Sequence, residues 1–118
     1  VVAPILVGGN TSVILASHAR PLCAITLAEV LNSSDVPGGT VNILTGLRDE
    51  LLPQFAEHMD VNALLVCSDE AGETRLAQER AAENVKRVIP HADAPLAESP
   101  YHILDLQEIK TTWHPVGV

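Results

Sequence analysis

The sequence between residues 35 and 46 reads DVPGGTVNILTG, and this stretch decides the fold. Pro37 cannot continue a preceding helix, and the two glycines after it allow backbone angles that side chains disfavour. Val41, Ile43 and Leu44 are typical of a short buried strand, and the final glycine leads into the next helix. The stretch therefore predicts a joint at which one helix ends, a strand follows and a second helix begins.

The same alternation of strands and helices recurs on both sides of this joint. Short apolar runs predict strands at residues 12–15, 63–67 and 86–89, in addition to the strand within 35–46. Helical spacing of apolar residues predicts helices at 22–31, 48–58 and 70–84, and residues 1–7 form the end of a helix or an approach segment. Strands that are apolar along their whole length indicate a parallel sheet covered on both faces. The predicted fold class is α/β, with a Rossmann-like parallel sheet flanked by helices.

Length and composition limit the classes of function. A chain of 118 residues with 47% hydrophobic residues predicts one globular domain. The formal net charge of −8 argues against a nucleic acid or an anionic membrane surface as a partner. No apolar run approaches the ~20 residues that a membrane helix requires, and no signal-peptide pattern opens the chain.

The cysteines and the methionine suggest where the protein is located and whether the sequence is part of a longer protein. Cys23 and Cys67 lie in apolar contexts, which predicts reduced, buried thiols in an intracellular, cytoplasmic protein. Met59 is the single methionine, so no initiator stands at the start. We therefore expect the sequence to be a piece of a longer protein.

The end of the chain differs in composition from the rest. We divide the sequence into an α/β domain at residues 1–90, a linker at 91–100 and a terminal segment at 101–118. Within that segment, Tyr101 to Leu106 and Ile109 to Val118 are predicted to be extended; we call residues 109–118 the tail. The tail alternates in the manner of a strand with one buried face. It must either return to the edge of its own sheet or add to the sheet of another chain.

Several short motifs resemble those of aldehyde dehydrogenases. Residues 3–11, APILVGGNT, resemble that family's A-P-A-L-x-x-G-N-T, and residues 35–46 resemble its G-x-P-x-G-V-V-N-V-V-T-G. Residues 58–61, HMDV, are similar to H-P-x-V, and residues 107–111, QEIKT, to the T-E-x-K-T of the C-terminal oligomerisation strand. The resemblance runs from Ala3 to about Val88 and returns near the terminus. It implies a truncated NAD(P)-binding domain, an oxidoreductase family and an oligomerisation strand.

The resemblance also implies which cofactor-binding residues are retained. Ser17 matches the serine of the family's K-P-S-E motif, and Ser68 and Gly72 match the serine and final glycine of G-S-T-x-x-G. These three are the candidate cofactor-binding residues, in degenerate form. A serine beside a strand end is more often a helix cap than a ligand-binding residue.

Other positions of the same motifs are replaced. Leu15 and His18 stand where the family has the lysine that reaches the ribose of NAD(P) and the glutamate that helps to select it. Cys67 stands where a glycine lets the helix approach the pyrophosphate. Asp69 and Glu70 add negative charge where phosphates would lie. The chain is therefore expected to bind no cofactor, although NAD(P) is the cofactor of the family.

Catalytic and metal-binding patterns are missing from the sequence. The family's general base lies in L-E-L-G-G after the fourth strand, where residues 88–92 here read VIPHA. Cys67 is a poor nucleophile because the neighbouring acids would raise its pKa. The five histidines show no metal-ligand spacing. We expect no catalytic residue and no activity of the chain on its own.

Three functions remain open. The first is a pseudoenzyme module with a structural, oligomerisation or protein-interaction role, which forms a homo-oligomer or joins other aldehyde dehydrogenase subunits through Ile109 to Val118. This arrangement is similar to the non-catalytic C-terminal part of the two-part aldehyde dehydrogenase family 16 proteins of animals. The second is a residual nucleotide-binding domain. The third is a fragment of an active NAD(P)-dependent aldehyde dehydrogenase.

Overall fold

A computed structural model of the chain describes residues 1–68, 70–91 and 99–117. Its elements follow the predicted order closely, and most boundaries differ from the predictions by one or two residues. The helices are α1 (Val2–Val7), α2 (Leu22–Asn32), α3 (Arg48–Glu57), α4 (Ala71–Ala81) and α5 (Tyr101–Leu104); the strands are β1 (Ser12–Leu15), β2 (Val41–Leu44), β3 (Ala63–Val66) and β4 (Arg87–Pro90). A single 3-10 turn, Ala82–Asn84, follows α4.

The strands form two small parallel sheets. In one, β1 pairs with β2 in the register Ser12 opposite Val41; in the other, β3 pairs with β4 in the register Ala63 opposite Arg87. The predicted α/β class with parallel strands flanked by helices is confirmed. The prediction of one sheet is wrong for the described residues, because β1 and β3 do not pair. The helices α2 and α4 each return the chain beside the strand it has just left, whereas α3 leads from β2 to the second sheet. Sequence order therefore fixes only the two local pairs.

The joint at residues 35–46 forms the predicted turn. Thr40 N–H donates to the carbonyl oxygen of Pro37 over 3.2 Å, and Gly39 adopts φ +83°, in the region that favours glycine. The side-chain amide of Asn42 closes the turn by donating to the carbonyl oxygen of Gly39 over 2.8 Å. The turn delivers the chain from α2 into β2.

The hydrophobic core lies between α3, α4 and the second sheet. Leu52, Val66 and Ala77 are buried together, and Leu64, Leu76 and Val88 pack around them. Ala56 and Ala81 are also fully enclosed, at 0% and 1% exposure. Alanine at these positions lets α3 and α4 approach closely, and an ion pair between Arg80 and Glu57 at 2.8 Å joins the two helices at the surface.

The terminal segment differs from its prediction in one part. Residues 101–106 were predicted to be extended, but Tyr101–Leu104 forms α5. The prediction is wrong because Pro100, with φ −65°, is already set for a first helical turn, which Asp105 N–H closes by donating to the carbonyl oxygen of Tyr101 over 2.8 Å. Most of the predicted linker, residues 92–98, lies outside the described residues.

The described part of the tail, residues 109–117, forms neither helix nor strand. Ile109, Trp113 and Val116 are 91%, 90% and 92% exposed. Of the two alternatives for the tail, a return to the edge of its own sheet is therefore not seen in the described part of the chain. The tail leaves its large apolar side chains in water.

The two cysteines are free thiols, as predicted, but they are not buried. Both Cys23 and Cys67 are exposed. The prediction of burial is wrong for Cys23 because α2 turns its small residues Ala24 and Ala28 inward, which places Cys23 on the outer side. Cys67 follows the end of β3 and lines a cleft described below. No helix in residues 1–68, 70–91 and 99–117 is long and apolar enough to cross a membrane.

One residue of the described chain is strained, and we predict that its replacement by glycine stabilises the fold. Val85 has φ +55° and ψ +30°, a left-handed conformation that is unfavourable for a β-branched side chain, and it is 90% exposed. Val85→Gly should raise the free energy of unfolding by about 0.5–1 kcal/mol, because the relieved strain exceeds the added chain entropy of glycine. Urea denaturation would measure it. Val116→Gly in the tail is the matched control and should change little; a less stable Val85→Gly variant would contradict the prediction.

Candidate functional site

A cleft of about 510 Å³ separates the inner strands of the two sheets. Every residue of β1 and β3 lines this cleft, whereas β2 contributes only Asn42 and β4 only Arg87. The edges of β1 and β3 that are not paired in a sheet therefore face the same space.

The hydrogen bonds of β1 show which backbone groups point into the cleft. Ser12 N–H and Ala16 N–H donate across the sheet to the carbonyl oxygens of Thr40 and Leu44, over 2.8 and 2.9 Å. Backbone groups alternate in direction along a strand, so Ile14 also faces β2, whereas the N–H and C=O groups of the two odd-numbered residues point away from β2. They belong to Val13 and Leu15 and face the cleft.

The hydrogen bonds of β3 give the same result. The carbonyl oxygens of Asn62 and Val66 accept from the N–H groups of Arg87 and His91, over 3.4 and 2.8 Å. The odd-numbered residues of β3 therefore present their backbone groups to the cleft. No backbone hydrogen bond joins these groups to another described residue. The cleft lies between two strand edges with unused hydrogen-bonding capacity.

An ion pair lies on one wall of the cleft. Arg48, at the start of α3, donates to the carboxylate of Glu73 in α4 over 2.9 Å, and both residues line the cleft. Glu73 is the more enclosed partner, with 15% of its side chain exposed against 47% for Arg48. In the described ranges, no group of three or more His, Cys, Asp or Glu side chains could hold a metal ion.

The predicted cofactor-binding residues are only partly brought together. Ser68 lines the cleft together with Leu15 and Cys67, which replace the lysine and glycine of the resembled motifs. Ser17 and Gly72 are not among the residues that line it. The isobutyl group of Leu15 offers no hydrogen bond to a ribose, so an apolar side chain lines the same cleft as Ser68.

Both candidate serines cap turns. Ser17 Oγ accepts from the backbone N–H of Arg20 over 3.3 Å, and Ser68 Oγ accepts from the backbone N–H of Glu70 over 3.1 Å. These are the local side-chain to backbone bonds that serine commonly makes where a strand leads into a helix. The contacts of both serines agree with a capping role.

The N-terminus of α4 carries acidic residues. Glu70 is the N-cap, Glu73 lies in the first turn and Gly72, the remaining candidate, is exposed between them. Carboxylates at a helix N-terminus stabilise the helix and occupy the place where a phosphate would bind. The predicted contribution of Asp69 lies outside the described residues.

Cys67 does not have the properties of a catalytic nucleophile. Burial raises the pKa of the Cys67 thiol, and the positive charges of the amino terminus and Arg48 only partly oppose this effect. A raised pKa reduces the fraction of reactive thiolate at neutral pH. The predicted direction of the pKa change is confirmed, although desolvation and not the acidic neighbours is the largest cause.

A set of contacts that the sequence did not predict holds the start of the tail in place. Arg87 Nη1 donates to the carbonyl oxygen of Gln107 over 2.6 Å, and Gln107 Nε2 donates to the carbonyl oxygen of Gly8 over 2.7 Å. Asn10 Nδ2 donates to the carbonyl oxygen of Leu106 over 3.4 Å. We call residues 105–108 the tail root. Partners that lie up to 99 positions apart leave no local sequence signal.

Comparisons of the sequence with known proteins all point to the same protein family. A model of the Aldehyde dehydrogenase family matches residues 1–93. A mitochondrial aldehyde dehydrogenase of Leishmania tarentolae is 33% identical over 86 residues, which is 73% of this chain and 17% of that protein. The NADP/NAD-dependent aldehyde dehydrogenase PuuC of Escherichia coli is 29% identical over 85 residues, 72% of this chain and 17% of that protein.

A solved structure agrees with the sequence comparisons. The crystal structure of an aldehyde dehydrogenase from Bartonella henselae matches with a TM-score of 0.70 and 27% sequence identity. The match covers 75% of this chain and 18% of that chain. The chain thus spans about one sixth of the length of the curated relatives it matches. The family match ends at residue 93, so the tail lies outside it.

Proposed function

This chain belongs to the aldehyde dehydrogenase family, and from that premise we propose that it acts as a non-catalytic assembly module. Its tail, residues 109–118, pairs with a second copy or with another aldehyde dehydrogenase subunit. The proposed setting is the cytoplasm, where the exposed thiols of Cys23 and Cys67 stay reduced.

The observation that carries this proposal is the exposed tail. Ile109, Trp113 and Val116 each leave about nine-tenths of their surface in water, although tryptophan and isoleucine are residues that proteins normally bury. The tail root is fixed to the body by Arg87 and Gln107, so the tail begins from a defined point. Aromatic side chains presented in this way are typical of the centres of protein–protein interfaces.

The body of the chain supports the same proposal. The radius of gyration of the chain with its tail is 16.2 Å, larger than the roughly 13.5 Å expected for a compact domain of this length. Leu22 and Val30, on the outer side of α2, are 77% and 57% exposed. Large apolar side chains on the outer side of a helix are normally covered by another surface. A partner that covers these surfaces would remove their contact with water.

We propose a non-catalytic role because the residues of the cleft and of the α4 N-terminus are unsuited to cofactor binding and to nucleophilic attack. Leu15 supplies no charge for a ribose, Glu70 and Glu73 place carboxylates at the N-terminus of α4, and the pKa of Cys67 is raised. Each change opposes either cofactor binding or nucleophilic attack. A role for the tail does not depend on any of these groups.

Light scattering of the chain across a range of concentrations tests the proposal. An assembly module should show a mass above the 12.6 kDa of one chain, alone or when mixed with an intact aldehyde dehydrogenase. A chain that stays at 12.6 kDa under both conditions would contradict the proposal.

A second function has one observation in its favour. The chain matches only 17% of the length of its relatives, which suits a fragment of an NAD(P)-dependent aldehyde dehydrogenase that retains part of the cofactor-binding domain. In that case the catalytic residues would lie in other parts of the same protein.

Titration with cofactor separates the two functions, and we predict that the chain does not bind NAD⁺ or NADP⁺. Calorimetry at about 1 mM cofactor should show no saturable heat, because Leu15 gives the ribose no charged hydrogen bond and the carboxylates of Glu70 and Glu73 repel phosphates. An intact aldehyde dehydrogenase titrated in parallel is the positive control. Leu15→Lys restores the missing ammonium, and any gain in binding should appear in that variant. Saturable binding by the unaltered chain would favour the fragment.

A further inference from the structure

The described residues fold as two halves that share no sheet. The first half contains α1, β1, α2 and β2, and the second half contains α3, β3, α4 and β4. The buried cluster of Leu52, Val66 and Ala77 belongs entirely to the second half. The direct chain connection between the halves is Thr45 to Leu47, between the end of β2 and the start of α3. The cleft of about 510 Å³ lies between the two halves.

Direct polar contacts between the halves are missing in the described part of the chain. None of its hydrogen bonds or ion pairs joins a group of the first half to a group of the second. The ion pair of Arg48 with Glu73 on the wall of the cleft lies within the second half. Strands of a shared sheet would be held by a ladder of backbone hydrogen bonds, which β1 and β3 do not form. A polar link between the halves therefore has to pass through another segment.

Gln107 of the tail root bonds to both halves at once. Its Nε2 donates to the carbonyl oxygen of Gly8 in the first half over 2.7 Å. Its own carbonyl oxygen accepts from Arg87 Nη1 in the second half over 2.6 Å. Beside it, Asn10 Nδ2 of the first half donates to the carbonyl oxygen of Leu106 over 3.4 Å. The tail root thus spans the gap between the halves, and Gln107 is the residue that contacts both.

The two bonds of Gln107 differ in strength. The bond from Arg87 is charge-assisted, whereas the bond to Gly8 joins two neutral groups, and charge-assisted bonds are roughly twice as strong. The bond to Gly8 also depends on the absence of a side chain there, because a Cβ atom on residue 8 would collide with Gln107 Nε2. The link is therefore expected to open on the Gly8 side first.

We propose that Gln107 is a clasp that holds the two halves together, and that the halves move apart about a hinge at residues 45–47 when its bond to Gly8 opens. A hinge of this kind needs only a few loop residues whose backbone dihedral angles change, and Thr45 to Leu47 lie in neither helix nor strand. Opening widens the cleft. Because the tail begins two positions after Gln107, a displacement of the tail acts directly on the clasp. The clasp works within a single chain and does not depend on the proposed assembly.

Double electron–electron resonance between spin labels in the two halves tests the clasp. One label is attached to the native Cys23 in α2 and the other to Glu83→Cys after α4, in a Cys67→Ser background; both labelled positions are exposed. A second pair, Cys23 with Asp35→Cys, lies within the first half and reports on the folding of that half. Labelled chains are diluted with an excess of unlabelled chains, so that only distances within one chain are measured.

Two substitutions open the clasp in different ways. Gln107→Met keeps the length of the side chain but removes the donor, and Gly8→Ala leaves Gln107 unaltered but places a Cβ in its way. The unaltered chain should give one narrow distribution of distances between the halves. Each variant should shift or broaden that distribution by one strand spacing, ~5 Å, and leave the pair within the first half unchanged. Gln54→Met, at an exposed glutamine of α3, is the matched control and should change neither distance.

Three results would overturn the proposal. The first is a distance between the halves that stays unchanged in both Gln107→Met and Gly8→Ala. The second is an equally broad distribution in the unaltered chain, because the halves would then move without release of the clasp. The third is a change of the same size in the pair within the first half, since loss of structure there, and not motion about the hinge, would then explain the result.

Discussion

Removal of residues 109–118 is expected to return the chain to a monomer at concentrations at which the full chain associates. The deletion removes Ile109, Trp113 and Val116, three apolar side chains that are about nine-tenths exposed in the single chain. A central tryptophan in an interface commonly contributes 2 kcal/mol or more, so loss of the whole tail should weaken association by at least about 30-fold. Light scattering of the full and shortened chains in parallel measures this change.

The stability of the shortened chain provides the control. The described tail makes no strand with the body, and the buried core of Leu52, Val66 and Ala77 lies elsewhere, so the free energy of unfolding of the monomer should change little. Trp113→Ser, which keeps the length of the tail, should weaken association in the same direction by a smaller factor. Association that is unchanged in the shortened chain would remove the basis of the proposed function.

Replacement of Lys86 by methionine is expected to cause the largest loss of stability from a single substitution in this chain. Lys86 is 9% exposed, and its Nζ donates to the carbonyl oxygens of Phe55, Ala56 and His58 over 2.8, 2.7 and 2.8 Å. These carbonyl groups end α3 and have no partner within the helix, so the ammonium acts as a C-terminal cap. Burial lowers the pKa of the Lys86 ammonium.

Lys86→Met keeps the length of the side chain but removes all three donors. Three carbonyl oxygens, of which that of Ala56 lies in a buried contact and those of Phe55 and His58 in part-buried ones, then lose charged hydrogen bonds. The free energy of unfolding should fall by about 2–4 kcal/mol. This loss is a large fraction of the roughly 5–15 kcal/mol typical of a domain. Urea denaturation followed by circular dichroism measures it. Lys110→Met, at a lysine whose side chain is 80% exposed, is the matched control and should have no measurable effect; equal stability of both variants would contradict the role of Lys86.

The local structure of the chain could be predicted from the sequence. The turn and β2 could be predicted from residues 35–46, where Pro-Gly-Gly ends a helix and an apolar run follows. The same reasoning located β1, β3 and β4. Short-range patterns are sufficient here because caps, turns and crossover helices depend on residues close in sequence. The error at Tyr101–Leu104 arose from giving apolar composition more weight than Pro100, whose φ angle begins a helix.

The candidate site could be predicted less completely. The motifs named Ser17, Ser68 and Gly72 as candidates; of these, Ser68 lines the cleft, together with the replaced positions Leu15 and Cys67. Leu15, Cys67 and Ser68 all lie at or just after the carboxyl ends of parallel strands. The separation of β1 from β3 and the exposure of Cys67 could not be predicted, because neither depends on the residue types alone. Lys86 and Arg87 also gave no signal, since a basic pair before a strand is usually a solvated surface.

The sequence by itself determined the α/β class, the order of its elements and the aldehyde dehydrogenase family, because these depend on local patterns and on short motifs at fixed spacing. The tertiary structure alone decided that the strands form two sheets with a cleft between them, and that Arg87 and Gln107 fix the tail root at the mouth of that cleft. The physical reason is distance along the chain. Contacts between Gly8 and Gln107, or between Lys86 and the end of α3, join residues many positions apart, and only folding brings their hydrogen-bonding groups within reach of one another.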